Sequence, residues 1–366
     1  MINIGMVGVG AISGIYLENI TKTFKEIQLL AVCDLVRERA ENAQKNYNVP
    51  KIYDTMHEMF ADPEIDIILN LTRPYEHYGV TKAALEASKH VYAEKPLGAS
   101  LAEGRELVAL AESKGLMLGG APDTFMGAGI QTCRKLIDGG IIGDPIGAAM
   151  FMICRGHESW HPDPEFYYKF GGGPMFDMGP YYLTALVNML GSVKSVTGSV
   201  KKSFPTRLIT SQPFVGTVVD VDVPTYITGI MQMDNNVTAT IFTTFDVAYP
   251  GQARFEIYGS EGTMFVPDPN SFGGPVQVFR REDGELKNMP LLFDYKDNSR
   301  ALGLADMAKA LETGRAARAS YKQTLHVLEV MEAFTASSVA KKVVKIQSKY
   351  KREAPMKNNP MRGILD

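Results

Sequence analysis

Lys95, Asp177 and Tyr181 are the side chains whose types and settings could together move a proton and steady an oxygen. Lys95 lies in Glu94-Lys95-Pro96, directly after the apolar run His90–Ala93, and Pro96 restricts the backbone that carries it. Asp177 and Tyr181 are four apart in Gly171-Gly-Gly-Pro-Met-Phe-Asp177-Met-Gly-Pro-Tyr181, so a helix starting near Asp177 puts them on one face. Each has an ordinary alternative: a surface charge for Lys95, a helix cap for Asp177, a core aromatic for Tyr181. Together, an ammonium, a carboxylate and a phenol supply what oxidation of an alcohol needs. One group takes the hydroxyl proton while others hold the oxygen.

A second constellation concerns phosphate. Gly8-Val9-Gly10-Ala11-Ile12-Ser13 follows the first apolar run and opens the first helical pattern. Gly8 permits a tight turn, Gly10 lets the backbone approach a pyrophosphate, and the helix start offers N–H groups and partial positive charge. Ser13 stands where a glycine or alanine is usual, and is small enough for close packing. Asp34 ends the second apolar run, 24 residues past Gly10, placed to accept hydrogen bonds from the ribose hydroxyls of an adenosine. Its charge repels a 2′-phosphate and favours NAD; Arg37, three residues on, leaves NADP open.

Gly156-His157-Glu-Ser-Trp160-His161-Pro-Asp-Pro-Glu-Phe-Tyr167-Tyr168 gathers two of the six histidines and the only tryptophan. Aromatic faces suit the C–H surface of a sugar or cyclitol ring, and His157, Trp160 and His161 are the substrate candidates. The alternative is a loop that packs its aromatics on a sheet. His157 and His161 lack a third ligand, so no metal site is expected. His326, inside Leu325-His-Val-Leu-Glu, reads as a core histidine.

The elements that must position these residues follow from periodicity. Up to about residue 122, apolar runs at Ile2–Val7, Ile27–Cys33, Ile65–Leu71, His90–Ala93 and Leu116–Leu118 alternate with helical segments such as Tyr75–Ser88. Ser100-Leu-Ala-Glu103 reads as a capping box, and Lys114-Gly115 as a helix end. Strands apolar on both faces and separated by helices imply an α/β, doubly wound parallel sheet over residues 1–122. From 123 to 366 the pattern is α+β: helices over Met126–Asp138, Tyr182–Leu190, Ala301–Thr313 and Tyr321–Ala340, and a strand over Gly147–Cys154. Hairpins are expected for Tyr226–Met233 with Val237–Phe245 and for Arg254–Tyr258 with Thr263–Val266, giving a large, mostly antiparallel open sheet.

The bulk numbers are compatible with this. The chain has 366 residues, 45% apolar and 22% charged, with a formal charge of −3. No strong basic field is present, which excludes nucleic acid as an expected partner. No run approaches the roughly 18 apolar residues of a membrane span. Met1–Gly8 reads as a strand instead of a signal peptide. Cys33, Cys133 and Cys154 are odd in number and widely spaced, reading as free thiols, so a cytoplasmic location is expected.

In these motifs the chain resembles the glucose–fructose oxidoreductase / inositol dehydrogenase / MocA family. The residues carrying the resemblance are Gly8-Val-Gly10 with Asp34, Leu71-Thr-Arg-Pro-Tyr-Glu-His77, Ala84-Leu-Glu-Ala-Ser-Lys-His90-Val-Tyr-Ala-Glu94-Lys-Pro96 and Gly172-Gly-Pro-Met-Phe-Asp177-Met-Gly179. The resemblance implies a Rossmann domain followed by an α+β domain whose open sheet makes homodimers or homotetramers. It also implies Lys95 as catalytic lysine, Asp177 as substrate-binding acid, and Thr72, Pro74, His77 and Glu94 bordering the cofactor alongside Lys95. Many relatives acting on inositols and sugars carry histidine four residues after the aspartate. This chain has Tyr181, as glucose–fructose oxidoreductase and dimeric dihydrodiol dehydrogenase look similar in doing. Tyr181 is therefore expected to be the acid/base, its pKa lowered by Lys95. The expected function is NAD(P)-dependent hydride transfer between nicotinamide and a secondary alcohol or ketone carbon of a sugar, cyclitol or glycoside. The alternatives are a redox-assisted glycosidase holding NAD and a non-catalytic dinucleotide-binding regulator.

Overall fold

Apolar segments bounded by glycine, proline and asparagine become the strands of two sheets in the computed structural model, which describes residues 1–249, 251, 254–357 and 362–366. Strands β1 (Ile2–Val7), β2 (Ile27–Cys33), β3 (Lys51–Ile52), β4 (Ile67–Asn70), β5 (His90–Ala93) and β6 (Leu118–Gly120) form the first sheet. Its order is β3-β2-β1-β4-β5-β6, with every pair parallel. All four residues of β4 are buried, because helices cover both faces. Those helices are α1 (Ser13–Lys22), α2 (Arg37–Tyr47), α3 (Met56–Ala61), α4 (His77–Glu86) and α5 (Leu101–Ser113). The strand order reverses between β1 and β4. Open α/β sheets bind ligands at such a switch point, outside the carboxyl ends of the strands.

The rest of the chain runs through α6 (Ala128–Asp138), β7 (Pro145–Ile153), α7 (Pro174–Asp177), α8 (Gly179–Leu190), β8 (Val193–Lys201), β9 (Thr206–Leu208), β10 (Val218–Asp220), β11 (Tyr226–Met233), β12 (Thr238–Thr244), β13 (Arg254–Gly259), β14 (Gly262–Val266), β15 (Val276–Arg280), β16 (Leu286–Met289), α9 (Leu302–Thr313), α10 (Tyr321–Ala340) and β17 (Val344–Lys345). Nine of the strands make one sheet, β16-β15-β14-β13-β7-β12-β11-β8-β17. Only the β7–β12 pair is parallel; both expected hairpins are present. Every residue of α8 is buried, so this helix forms the core between the sheet and the rest of the molecule.

Several local expectations change. The expected helix over Tyr75–Ser88 is shorter, starting at His77 and ending at Glu86. Met126 belongs to a short 3-10 turn before α6. Strand β3 and the β9–β10 hairpin were not indicated by periodicity, being only two and three residues long. The Ser100 hydroxyl accepts from the Glu103 amide, but the Glu103 carboxylate turns to the Ala99 amide (2.7 Å), so the capping box is only half made. A complete box instead starts α3, with Thr55 and Glu58. His326 is a core residue, bonding the Val193 amide (3.0 Å) and lying 2.9 Å from the Ser348 hydroxyl.

The last helices and the tail return to the parallel sheet. Gly120 N–H bonds Ala319 O (3.1 Å), and Lys25 N–H bonds Gly363 O (2.9 Å). Asp306 on α9 anchors this return: fully buried, it accepts from Arg315 Nη2 (2.6 Å), Arg318 Nη1 (2.5 Å) and the Arg318 amide (2.7 Å). Removing one member of a buried ion group strands the remaining charge. Asp306→Ala should lower unfolding free energy in urea by about 3–5 kcal/mol; a loss under about 1 kcal/mol would contradict this anchoring role.

Candidate active site

The glycine loop leaves β1 through Gly8, whose φ is 93° and whose added Cβ would stand 2.8 Å from Leu71 O. Only glycine accommodates both constraints. Gly10, Ala11 and Ile12 are exposed at the start of α1, and a Cβ on Gly10 would meet nothing within 4 Å. The first N–H groups of a helix have no partner within it, so this surface is open to a phosphate. Ser13 is buried, its hydroxyl on Gly10 O (2.7 Å), which fixes the turn. Asp34 accepts from Val9 N–H (2.6 Å) and Val36 N–H (2.8 Å), tying the end of β2 to the loop. These features fit a dinucleotide laid over the switch point.

Arg37, the first residue of α2, reaches one turn on to Glu41 (3.1 Å) and across to Asp54, just past the end of β3. Arg39 is the cation beside Asp34, at 3.9 Å. Beyond β4, Asn70 is fully buried and organises the next segment: its Oδ1 accepts from the Thr72 hydroxyl (2.6 Å) and its Nδ2 donates to His77 O (3.1 Å). The His77 ring lies between Pro96 O (2.8 Å) and Thr72 O (2.9 Å), and burial lowers its pKa despite them. His77 thus links the Thr72–Pro74 turn to the Glu94-Lys95-Pro96 turn. Pro74 packs beside Gly171. The Glu94 carboxylate accepts from the Tyr16 hydroxyl (2.7 Å) and the Lys95 amide (2.9 Å).

Lys95, Asp177 and Tyr181 do meet. Lys95, at the carboxyl end of β5, donates from Nζ to Asp177 O (2.7 Å) and Asp177 Oδ1 (2.9 Å), and Nζ stands 5.0 Å from the Tyr181 ring centroid. An ammonium has three donors, so one remains for an incoming oxygen. Asp177 and Tyr181 are not on one continuous helix. Asp177 ends the single turn α7, and Tyr181 lies in the first turn of α8, with Met178 between. Gly173 makes this possible: its φ is 86°, and a Cβ there would stand 2.9 Å from Pro224 O. Asp177 caps neither helix. Its other oxygen meets His157 Nε2 at 3.2 Å.

Burial opposes charge on both Lys95 and Asp177, yet each holds the other ionised. The Asp177 carboxylate, with Tyr181 and Glu94 behind it, keeps the Lys95 ammonium well above its ordinary pKa. Lys95 and His157 bring Asp177 down to about 2. Tyr181 departs from expectation: burial raises its pKa, and Lys95 and Arg300 only partly oppose this. The phenol is protonated at neutral pH in the protein alone.

The aromatic loop closes the other side. The His157 ring contacts Tyr167 (4.0 Å between centroids), Phe245 (4.7 Å) and Trp160 (5.2 Å). With Asp177 ionised and acceptor-only, Nε2 is the donor, and Nδ1 is buried without a partner. Trp160 is mostly exposed, edge-on to His157, and His161 lies one ring further out, against Phe166 and Tyr167. Arg73 binds Asp163 of this loop (2.6 Å) across the domain boundary. Asn70, Tyr16, Arg39 and Arg300 lie around the site without any local signal in the sequence.

A parallel switch-point sheet with an open glycine loop, facing a lysine, an acid and a phenol, defines a dinucleotide-dependent oxidoreductase. Residues 2–120 match the model of an oxidoreductase family with an NAD-binding Rossmann fold, and residues 130–265 match the GFO/IDH/MocA C-terminal domain. The chain belongs to this family of NAD-binding oxidoreductases. It is 23% identical to myo-inositol 2-dehydrogenase of Thermotoga maritima over 298 residues, 81% of this chain and 84% of that protein. It is 31% identical to trans-1,2-dihydrobenzene-1,2-diol dehydrogenase of Mus musculus over 170 residues, 46% of this chain and 50% of the relative. Levoglucosan dehydrogenase in complex with NADH and L-sorbose shares the fold, with a TM-score of 0.81 at 17% identity, covering 95% of this chain and 99% of that one.

The Asp34 carboxylate stands beside the glycine loop, where its charge would repel a 2′-phosphate. Asp34→Ser, with Arg39 retained, should raise the kcat/KM ratio for NADP over NAD at least tenfold; an unchanged ratio in steady-state assays would remove Asp34 from cofactor selection.

Proposed function

We propose that this enzyme transfers hydride between NAD and a secondary alcohol or ketone carbon of a sugar, cyclitol or glycoside, with Lys95, Asp177, Tyr181 and His157 as its working side chains. The observation that carries the reading is the Lys95 ammonium, fixed by two bonds to Asp177 with its third donor left over, directly above the Tyr181 ring. Bound NAD supplies the hydride acceptor. Lys95 holds the substrate oxygen with its remaining proton, and the Tyr181 hydroxyl shares that oxygen. Asp177 positions the lysine, and through His157 sets a free ring nitrogen for a neighbouring hydroxyl. Inositol and levoglucosan, named for two similar proteins, are polyhydroxy rings that match an aromatic loop with a histidine inside it. Arg39 at the loop edge leaves some NADP use open.

The buried phenol gives the reaction a pH sense. When a ketone is reduced, Tyr181 passes its proton to the forming alcohol. When an alcohol is oxidised, Tyr181 must first lose that proton, and its raised pKa makes oxidation faster as pH increases. With a panel of inositols, sugars and glycosides followed by reduced-cofactor absorbance, oxidative kcat should climb toward alkaline pH. Tyr181→Phe should lower kcat about 10²–10⁴-fold and abolish the climb. Retention of most of the kcat, or a panel without turnover, would overturn the reading. Free sugar released without reduced cofactor accumulating would instead mark redox-assisted cleavage.

The outer face of the large sheet supports a second copy of this chain as partner. Tyr226 and Phe242 are 4.7 Å apart between centroids, Phe151 adjoins Phe242, Lys201 lies over Tyr226, and Ile230 is exposed nearby. Light scattering should give a mass at least twice the 40.2 kDa of one chain, reduced by Ile230→Lys with Phe242→Lys; a monomer at micromolar concentration would contradict it.

A further inference from the structure

The β9–β10 hairpin is a two-stranded excursion between β8 and β11, separate from both larger sheets. A lone pair of short strands is marginal in water, so its stability depends on what it packs against. Alternation sends Leu208 and Val218 to solvent and their neighbours Arg207 and Val219 inward. Inward of the hairpin lies the aromatic loop.

Arg207 Nη1 stands 3.1 Å from Glu158 Oε1, and Nη2 donates to Phe245 O (3.2 Å) and to the Asp246 carboxylate. The guanidinium also lies over two rings, 5.3 Å from the Tyr168 centroid and 5.2 Å from that of Phe204. Asp246 is held in turn by the Thr225 hydroxyl (2.8 Å). One guanidinium thus joins two neighbours of His157: Glu158, next to it in the chain, and Phe245, whose ring meets the imidazole at 4.7 Å. The Arg207, Glu158 and Asp246 side chains are 10%, 13% and 4% exposed, so salt and solvent screen the group little.

The backbone repeats the grip. Glu158 O accepts from the Thr210 and Ser211 amides (2.9 Å each), and the Ser211 hydroxyl donates to His161 O (2.5 Å). Just past β10, the Asp222 amide bonds Tyr168 O (2.9 Å). Gly156 has φ 99°, and a Cβ on it would collide with Glu158 Oε2 and the Tyr168 hydroxyl. That glycine lets the Glu158 carboxylate fold back toward Arg207. The hairpin therefore holds the loop from Glu158 to Tyr168, while the His157 ring turns to Asp177 (3.2 Å).

We propose that Arg207 is a positioning residue for substrate binding: by tying Glu158 to the Phe245–Asp246 segment, it fixes the His157 ring and with it the affinity for the polyol. The inference rests on the reading of His157 as a substrate contact. A guanidinium keeps its proton in a protein, so Arg207 acts as a rigid fork and carries no proton in the reaction. Lysine in its place would keep the charge and lose the fork. Lys95 and Tyr181 are carried by other elements, the end of β5 and α8, so loss of Arg207 acts on binding more than on the chemical step.

The test measures kcat and the KM values for NAD and for whichever polyol of the panel is turned over fastest. It uses wild type, Arg207→Gln, Arg207→Lys, Glu158→Gln, His157→Ala and the double variant His157→Ala with Arg207→Gln. Arg207→Gln should raise polyol KM about tenfold, with kcat and the KM for NAD changed less than about threefold. Arg207→Lys should recover part of that loss. In the His157→Ala background, Arg207→Gln should add less than about twofold, because both changes act through one ring. Glu158→Gln leaves the Arg207–Asp246 pair in place. It should raise polyol KM in the same direction, and it decides the matter if Arg207→Gln does not fold. Suppose His157→Ala raises polyol KM while Arg207→Gln and Glu158→Gln keep the wild-type value, or Arg207→Gln costs the same factor in both backgrounds. The role of Arg207 is then overturned and that of His157 stands. Equal movement of kcat and both KM values overturns it as well, marking a merely structural residue. If His157→Ala leaves polyol KM unchanged, or no polyol is turned over, the reading of His157 falls and this inference falls with it.

Discussion

The ion pair between Lys95 and Asp177 is the constraint around which the rest of the molecule is organised. Taking two charges out of water is costly, and the cost is recovered only when each finds fixed partners. Lys95 comes from the carboxyl end of a parallel strand and Asp177 from a one-turn helix of the second domain, so neither half of the chain builds the pair alone. The ammonium is fixed by both the carbonyl and the carboxylate of one residue, which fixes the direction of its remaining donor. The second carboxylate oxygen then sets the His157 ring. Tyr181 is close to the same pair, because α8 starts two residues after Asp177 and carries the phenol in its first turn.

Several ties hold the two domains in the relation this pair requires. Asn19 clasps the loop that carries Arg300, Arg73 reaches Asp163 of the aromatic loop, and Gly363 and Leu365 return to the Lys25 and Glu26 corner. Each tie joins a part of the cofactor domain to a part of the substrate side. The electrostatics follow: a lysine kept charged, an acid whose pKa is held down to about 2, and a phenol that burial keeps protonated despite Lys95. Among the described residues no helix is long and apolar enough to cross a membrane.

What could be read from the sequence was whatever is local. Gly8, Gly10, Ser13 and Asp34 stand out through their spacing, and the turn segments Asp234-Asn-Asn236 and Gly259-Ser-Glu-Gly262 placed both hairpins of the large sheet. Lys95 and Asp177 were legible through the turns that carry them, as was the crowding of His157 among aromatics. Other features depend on contacts far apart in the chain. Asn19 bonds a carbonyl 279 residues away, and nothing in Asn298-Ser-Arg300 distinguishes it from an ordinary polar loop. Glu94 accepts from Tyr16, 78 residues earlier, a pairing with no local signal. Arg37 and Arg39 are indistinguishable in sequence; the register of α2 sends one to Glu41 and the other toward Asp34. The break at Met178 was masked because Asp177 and Tyr181 keep helical spacing, although Pro180 suits the first turn of a new helix. The raised pKa of Tyr181 reflects how completely α8 is buried, a tertiary property.

The central claim is spatial: one carbinol oxygen is shared by the Lys95 ammonium and the Tyr181 hydroxyl while its carbon faces the nicotinamide. A crystal structure with NAD and a bound polyol tests it most directly. The account predicts Lys95 Nζ and Tyr181 Oη both within about 3.2 Å of the same substrate oxygen, and the carbon bearing it about 3–3.5 Å from the nicotinamide ring. A complex in which Lys95 leaves Asp177 for solvent, or in which the polyol oxygen nearest the nicotinamide meets neither side chain, would contradict it.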